Sequence, residues 1–357
     1  MRIISVMNQK GGCGKTTVAI NLAASFRELG RKVLLIDLDP QAHASLGLGV
    51  PPEEVETTTY DLLMDPRVKV SDAVRKVGES LFIIPSSPVL SAIEQELSGK
   101  QGREGRLLSK LTRAPGDFDY IVIDSPPSIG LLTFNALMAS GEVIIPIDPS
   151  CFSVQGLEKL RETLELLERE TNHVIAVRVL MSNVERRTAF SREIIDEVER
   201  SHGGVLLKTI VCHSVRYKEA AFRGMPIFGM KHVEHLQEEF LALAREIEAN
   251  APTVAVENID DWMVRLHGPR HVPEGILFVL NAPNARNVYL TGEFTNWSRE
   301  GIRMERDEKT GFWKTVLHLE PGEYEYRFIV DGVWIKDLNN TDSVLNEFGQ
   351  ENSLLIV

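Results

Sequence analysis

Residues Gln9-Lys10-Gly11-Gly12-Cys13-Gly14-Lys15-Thr16-Thr17 gather three glycines, two lysines and two hydroxyls into one short stretch. That combination suits a polyphosphate. Glycines let backbone N–H groups close around phosphate oxygens, and a helix starting there adds partial positive charge. Lys15 would bridge the terminal phosphates and the Thr16 hydroxyl would sit on Mg²⁺. Two further clusters supply carboxylates. Asp37 and Asp39 follow an apolar run at 33–36, and Asp124 ends a second run at 120–123, just before Ser125-Pro126-Pro127. Carboxylates at the end of a buried strand are costly unless they face a cation, a water or a lysine. Asp39 is therefore expected to position or polarise an attacking water, with Asp37 and Asp124 in the shell of the metal. A solvated turn at Asp39-Pro40 is the plainer alternative.

These residues need a scaffold that brings strand ends together. Apolar runs at 3–7, 32–37, 81–85, 120–124, 143–147, 175–181 and 206–211 alternate with helix-length segments such as 156–169 and 190–202. Near-continuous apolar strands joined by helices predict an α/β fold with a parallel sheet buried on both faces, which binds ligands at the carboxyl ends of its strands. The 357 residues exceed one ordinary domain and suit two. No run approaches 18 consecutive apolar residues, so no spanning helix is expected. The N-terminus lacks a charged-then-apolar leader, so a cytoplasmic placement is expected. Cys13, Cys151 and Cys212 are widely spaced and odd in number, which favours reduced thiols over a disulfide framework or a zinc site. Net charge is −12, with −5 in residues 1–252 and −7 in the remainder. Any nucleic-acid binding therefore needs a local basic patch.

The pattern changes near residue 251. A stretch at 251–272, carrying Pro252 and Pro269, reads as a linker between a domain at 1–250 and one at 273–357. Beyond it, short alternating runs at 276–280, 287–290, 312–319, 324–330, 333–335 and 354–357 are separated by turn residues. They predict an antiparallel, immunoglobulin-like β-sandwich. Asp331-Gly332 between Phe328-Ile329-Val330 and Val333-Trp334-Ile335 predicts a tight hairpin.

The phosphate loop departs from G-x-x-x-x-G-K-[ST]: Gln9 stands at the first glycine position and Lys10 adds a second lysine. In this it resembles the deviant P-loop of the ParA/MinD group. With Asp37-Leu38-Asp39-Pro40-Gln41, Asp124-Ser125-Pro126-Pro127-Ser128, Ile145-Pro146-Ile147 and Ser214-Val215-Arg216, residues 1–249 resemble partitioning ATPases of the ParA/Soj type. The resemblance implies a doubly wound sheet and a slow, Mg²⁺-dependent ATPase that dimerises around two ATP molecules. It implies that Gly11, Gly12, Cys13, Gly14, Lys15, Thr16 and Thr17 hold the nucleotide, that Lys10 crosses to the partner's phosphates, and that Asp39 assists hydrolysis. Asn183 would read the adenine edge or else cap a loop. Arg187, Arg216, Lys218 and Arg223, with Arg186, Arg192 and Lys231, would bind DNA non-specifically, or form a solvated face with Glu partners. An activating protein partner is implied as well, and membrane insertion is not expected.

Residues 288–297, 319–334 and 349–352 resemble the glycogen-binding domain of AMP-activated protein kinase β subunits. That resemblance implies an α-glucan site. Trp297 and Trp334 would be its stacking platforms, Arg327 and Asn352 would bind hydroxyls, and Phe348 would lie under the sugar. Each tryptophan also has a core reading. The expected function is an ATP-driven switch that positions a cargo, with a module that binds glucan or protein. The alternatives are a nucleotide-sensing scaffold with a protein-docking sandwich, and a chromosome or plasmid partitioning ATPase that binds DNA.

Overall fold

The computed structural model describes residues 1–357 except 101, 113–117, 151–159, 161–163, 165–172, 186–188, 252–268, 273–274, 283–284, 307–311, 338–339, 341 and 347–348. The chain divides into two compact units, one drawn from Met1–Ser98, Gly102–Arg169 and His173–Val256, the other chiefly Glu257–Val357.

In the larger unit, strands β1 (Arg2–Val6), β2 (Val33–Asp37), β3 (Arg75–Gly78), β4 (Leu81–Ile84), β5 (Tyr120–Asp124), β6 (Glu142–Ile147), β7 (Ala176–Val184) and β8 (Leu206–Cys212) form one sheet, in the order β3-β4-β2-β5-β1-β6-β7-β8. All pairs are parallel except β3 with β4. Every residue of β2, β5 and β6 is buried, as expected of strands covered on both faces. The seven expected strands are present. β3 is an addition: Arg75-Lys76-Val77-Gly78 is an edge strand too polar and too short to show in an apolar pattern. The expected helix at 156–169 falls almost wholly outside the described residues, as does most of the expected linker.

Helix α1 (Lys15–Glu28) packs its broad apolar face against the sheet, with Phe26 stacked on Tyr120 at 3.9 Å between ring centroids. Two polar residues on that face are satisfied. Asn21 Nδ2 donates to the Thr17 carbonyl at 2.8 Å, and Asn21 Oδ1 accepts from Ile227 N at 2.8 Å. Ser25 Oγ donates to the Asn21 carbonyl. α1 stops where Gly30 takes φ +81°, and Arg31 N reaches back to the Phe26 carbonyl at 3.0 Å. At this same end of the sheet, buried Glu142 accepts from Arg2 (2.6 Å) and Arg178 (3.1 Å), tying the starts of β1, β6 and β7.

The smaller unit places β9 (Arg270–Val272), β10 (Gly275–Asn281), β13 (Glu305–Arg306) and β14 (Phe312–Leu317) in one antiparallel sheet. The second sheet holds β11 (Val288–Gly292), β12 (Ile302–Arg303), β15 (Glu323–Val330), β17 (Ser343–Leu345) and β18 (Glu351–Ile356), with β16 (Val333–Ile335) paired to β15. Phe278, Val288, Leu290, Trp313, Tyr326 and Phe328 fill the space between the sheets. Trp313 is therefore core, with Nε1 donating to the Ala282 carbonyl at 2.9 Å. Asp331 and Gly332 both take positive φ (+48° and +87°), as a tight hairpin turn requires.

Candidate functional site

The carboxyl ends of β1, β2, β5, β6 and β7 converge on one edge of the large sheet. Parallel register sets Val6 opposite Asp124, and Asp124 opposite Asp37. The two aspartates are thus one strand spacing apart, about 4.8 Å between backbones. The loop after β1 bends through Gly12 (φ +79°) and Gly14 (φ +87°), where no Cβ is tolerated without strain. Gly14 then serves as the start of α1, and its carbonyl accepts from Val18 N at 2.8 Å. Gly11 is exposed, Thr16 and Thr17 are half-buried, and Cys13 is buried with Sγ donating to the Lys10 carbonyl. Burial pushes the Cys13 thiol up, so it is an inert packing residue of the loop. Lys15 Nζ folds back to the Lys10 carbonyl at 2.9 Å.

The two carboxylates differ. Asp37 accepts from Asp39 N (3.1 Å), Ser45 N (2.8 Å) and Ser45 Oγ (2.7 Å). It organises the loop into the short helix α2 (His43–Gly47), and burial raises its pKa to about 6 against those hydrogen bonds. Asp124 is fully buried, and among the described residues neither of its oxygens meets a donor in full hydrogen-bond geometry. Burial lifts it well above the usual carboxylate range and Asp37 lifts it further, while Thr16 and Lys15 pull it down. Both aspartates were expected in the metal shell. In the structure Asp124 has its oxygens unspent, whereas those of Asp37 are occupied by the loop. Asp39 accepts from Gln41 N at 2.9 Å and is buried beside them. Among the described residues no three His, Cys, Asp or Glu side chains are grouped to hold a metal alone. The donors here are a hydroxyl and carboxylates, all oxygen, which fits a Mg²⁺ that completes its shell with phosphate and water.

Lys10 is held within its own chain. Rather than projecting away from its own chain, Nζ binds both Asp148 oxygens at 2.7 Å and Ser150 Oγ at 2.8 Å. The acceptor lies 138 residues away, just past β6, and its strand-end position was the available signal. Asn8 and Ser182 also escaped the sequence reading. Asn8 Nδ2 donates to the Pro146 carbonyl, and Ser182 Oγ donates to the Cys13 carbonyl, both at 2.7 Å. Asn183 is exposed with φ +55°, a conformation asparagine tolerates better than most residues, so the fold itself gives a reason for asparagine here.

Of the basic residues, Arg216, Lys218 and Arg223 lie on or beside helix α3 (Val215–Phe222). Lys218 and Arg223 are exposed, but Arg216 is paired with Glu219 and donates to the Lys231 carbonyl. Arg187, like Arg186, lies outside the described residues. α3 also presents Phe222 at 93% exposure.

On the smaller unit, Val288 and Leu290 face the core, so Tyr289 and Thr291 face outward. Cross-strand partners carry this outer face to Ile329 and Arg327 on β15, and to Trp334 opposite Ile329 on β16. Thr291 Oγ1 donates to the Ser298 carbonyl at 2.8 Å, folding the loop after β11 back over that face. Trp297 (φ +56°) then meets Trp334, with ring centroids 6.3 Å apart and planes inclined by 31°. The two indoles form a half-exposed aromatic platform rather than core. Arg327 Nη1 donates to Gln350 Oε1 at 2.8 Å. Asn352 corrects the expectation of a hydroxyl-binding amide: it is 3% exposed, donates to Glu325 at 2.8 Å and accepts from Asn346 at 3.3 Å. It braces the neighbours of the platform. Phe348 lies outside the described residues.

Residues 1–177 match the family model of an AAA domain, and residues 277–357 that of the glycogen recognition site of AMP-activated protein kinase. The sporulation initiation inhibitor protein Soj of Bacillus subtilis is 38% identical over 250 residues, 70% of this chain and 99% of Soj. This chain belongs to the ParA/Soj family of P-loop ATPases. The chromosome partitioning protein ParA of Myxococcus xanthus is 36% identical, over 69% of this chain and 87% of that protein. Among solved structures, cobyrinic acid a,c-diamide synthase of Mycobacterium smegmatis, with an ATP analogue and magnesium, superposes at a TM-score of 0.62 with 28% identity, covering 70% of this chain and 96% of the other. The ParA/Soj part and the glycogen-recognition-like module together cover most of the chain. Among the described residues no helix is long and apolar enough to cross a membrane.

Proposed function

We propose that this chain is an ATP-driven, dimerising cytoplasmic switch whose smaller unit binds α-glucan, so that the ATPase cycle positions a glucan-bearing cargo. The observation that carries the switch is Asp124, a fully buried carboxylate with both oxygens unspent, one strand from Asp37 and beside Lys15 and Thr16. Such a group is tolerable when a cation and phosphates complete the site. In this reading the loop amides and Lys15 bind the phosphates, Asp124 and Thr16 hold Mg²⁺, and Asp39 orients the attacking water. Mg²⁺ supplies charge neutralisation of the phosphates. Lys10 leaves Asp148 and enters the second subunit's site on dimerisation. The relative solved with an ATP analogue and magnesium supports the ligand assignment.

Size determination with light scattering and a phosphate-release assay test the switch. Lys15→Ala should stay monomeric with ATP, and Asp39→Ala should dimerise without turnover. If both variants match the wild type in assembly and turnover, the mechanism is wrong. The tilted indole pair supports the glucan reading. β-Cyclodextrin should retain the wild-type chain and release a Trp297→Ala/Trp334→Ala double variant. Retention of that variant would remove the site, and failure of the wild type to bind would leave the sandwich as a protein-docking module. A second surface for non-specific DNA rests on exposed Lys218 and Arg223 of α3. It predicts ATP-dependent gel retardation that weakens with salt; no retardation at low salt with ATP excludes it.

A further inference from the structure

The outer face of the smaller unit does not end at the tryptophan pair. Tyr289, Ile329 and Trp334 form one cross-strand row over β11, β15 and β16. Tyr289 and Trp334 are therefore two strand spacings apart, about 10 Å between backbones. Ile329 between them is only 4% exposed although it points away from the core, so this stretch of the outer face is roofed by side chains. Beside Tyr289, toward the β15–β16 turn, lies a shallow pocket of about 440 Å³ lined by Arg286, Asn287, Tyr289, Asp331 and Gly332.

This pocket is built rather than incidental. The Asp331 carboxylate accepts from Arg286 N at 3.0 Å and Asn287 N at 2.8 Å, while Asp331 N donates to the Asn287 carbonyl at 3.0 Å. The hairpin turn and the approach to β11 are thereby clamped together. Gly332, at φ +87°, adds no side chain, and a Cβ there would meet nothing within 4 Å, so the space stays open. The lining offers one aromatic ring, one carboxylate, one amide and one guanidinium. Asp331 opposes an anionic ligand, and the set has too little apolar surface for a lipid. A neutral polyol ring fits it: the flat C–H face lies on Tyr289 and hydroxyls pair with Asp331, Asn287 and Arg286.

We propose that Tyr289, Arg286, Asn287 and Asp331 form a second hexose subsite beside the face that carries Trp297 and Trp334, so that the module grips several consecutive units of one α-glucan chain. This rests on the glucan reading of the tryptophan pair. The span between Tyr289 and Trp334 suits a short run of linked rings, and the ligand class is an extended α-1,4-linked oligosaccharide.

Isothermal titration of the full chain with maltotriose and maltoheptaose tests it. The wild type should bind maltoheptaose at least about tenfold more tightly, a difference of ~1.4 kcal/mol. Tyr289→Ala should lose about tenfold for maltoheptaose while changing maltotriose by less than about twofold. Asn287→Ala, at an exposed position outside the core, should show a smaller loss with the same length dependence, and serves if Tyr289→Ala fails to fold. Equal affinities of wild type and both variants for maltoheptaose would overturn the subsite while leaving the tryptophan site intact. Absence of wild-type binding to either sugar would overturn both.

Discussion

Asp124→Asn should stabilise the nucleotide-free protein while weakening its response to nucleotide. Asp124 and Asp37 sit side by side, fully buried, and both have raised pKa values, with burial the larger cause. Asp37 sets the scale. Its folded value of about 6 against the ordinary 3.8 is a rise of roughly two pH units, worth ~3 kcal/mol at 1.36 kcal/mol per unit. Between those two values the folded chain holds a proton that the unfolded chain has released. Stability is therefore greatest below the unfolded value and is lost as pH rises through about 6. Asp124 adds a penalty of the same sign. Asparagine keeps its shape, removes its charge and offers an N–H to the Asp37 carboxylate across the ladder. A gain of ~2 kcal/mol at pH 8 is expected, raising Tm by about 4–8 °C for a unit of this size. The gap should narrow at pH 5, where the wild-type pair takes up its own proton. Thermal melts at both pH values, with and without Mg²⁺ and ATP, read all of this. A lower Tm for the nucleotide-free variant at pH 8, or a gap equal at both pH values, would refute the reasoning.

Other perturbations probe the rest of the site. Asp148→Asn removes the carboxylate that holds Lys10, so ATP-dependent dimerisation should strengthen by up to about tenfold, the worth of ~1 kcal/mol or slightly more; analytical ultracentrifugation showing a weaker dimer would contradict the latch. Glu142→Gln leaves Arg2 and Arg178 beside a neutral acceptor at the far end of the sheet, and should cost roughly 3 kcal/mol in urea unfolding without altering nucleotide binding. Gly292→Ala would drive a Cβ into the Glu325 carbonyl oxygen and toward Tyr326, so the smaller unit should melt earlier and lose glucan retention while ATP turnover persists. An unchanged melt would show that the β11–β15 contact can relax.

Much of the large unit was legible because its signals are local. A parallel strand covered on both faces needs apolar residues in sequence, and the runs ending at Asp37 and Asp124 announced both their burial and the place of their carboxylates. The phosphate loop and the Asp331-Gly332 turn were legible for a similar reason, since a few residues in special backbone conformations mark them. Short polar strands such as β3 and β13 were not, because an edge strand is held by ladder hydrogen bonds rather than by an apolar pattern. Asn352 misled for another reason: its motif position suggested a free amide, while its burial depends on Glu325 and Asn346.

The sequence alone singled out the residues expected to carry the chemistry: Lys10, Lys15, Thr16, Asp37, Asp39 and Asp124 in one unit, Trp297 and Trp334 in the other. Only the tertiary structure decided how those residues are spent. It gave Lys10 to Asp148 across 138 positions and Asp37 to Ser45, and among the described residues it left the Asp124 oxygens without a donor in full hydrogen-bond geometry. It also set Tyr289 in line with Trp334 through strand register. Residue identity and local pattern specify a side chain's capacity and its element. Its partners depend on which strand ends the fold brings together, and that is a property of the packed sheet.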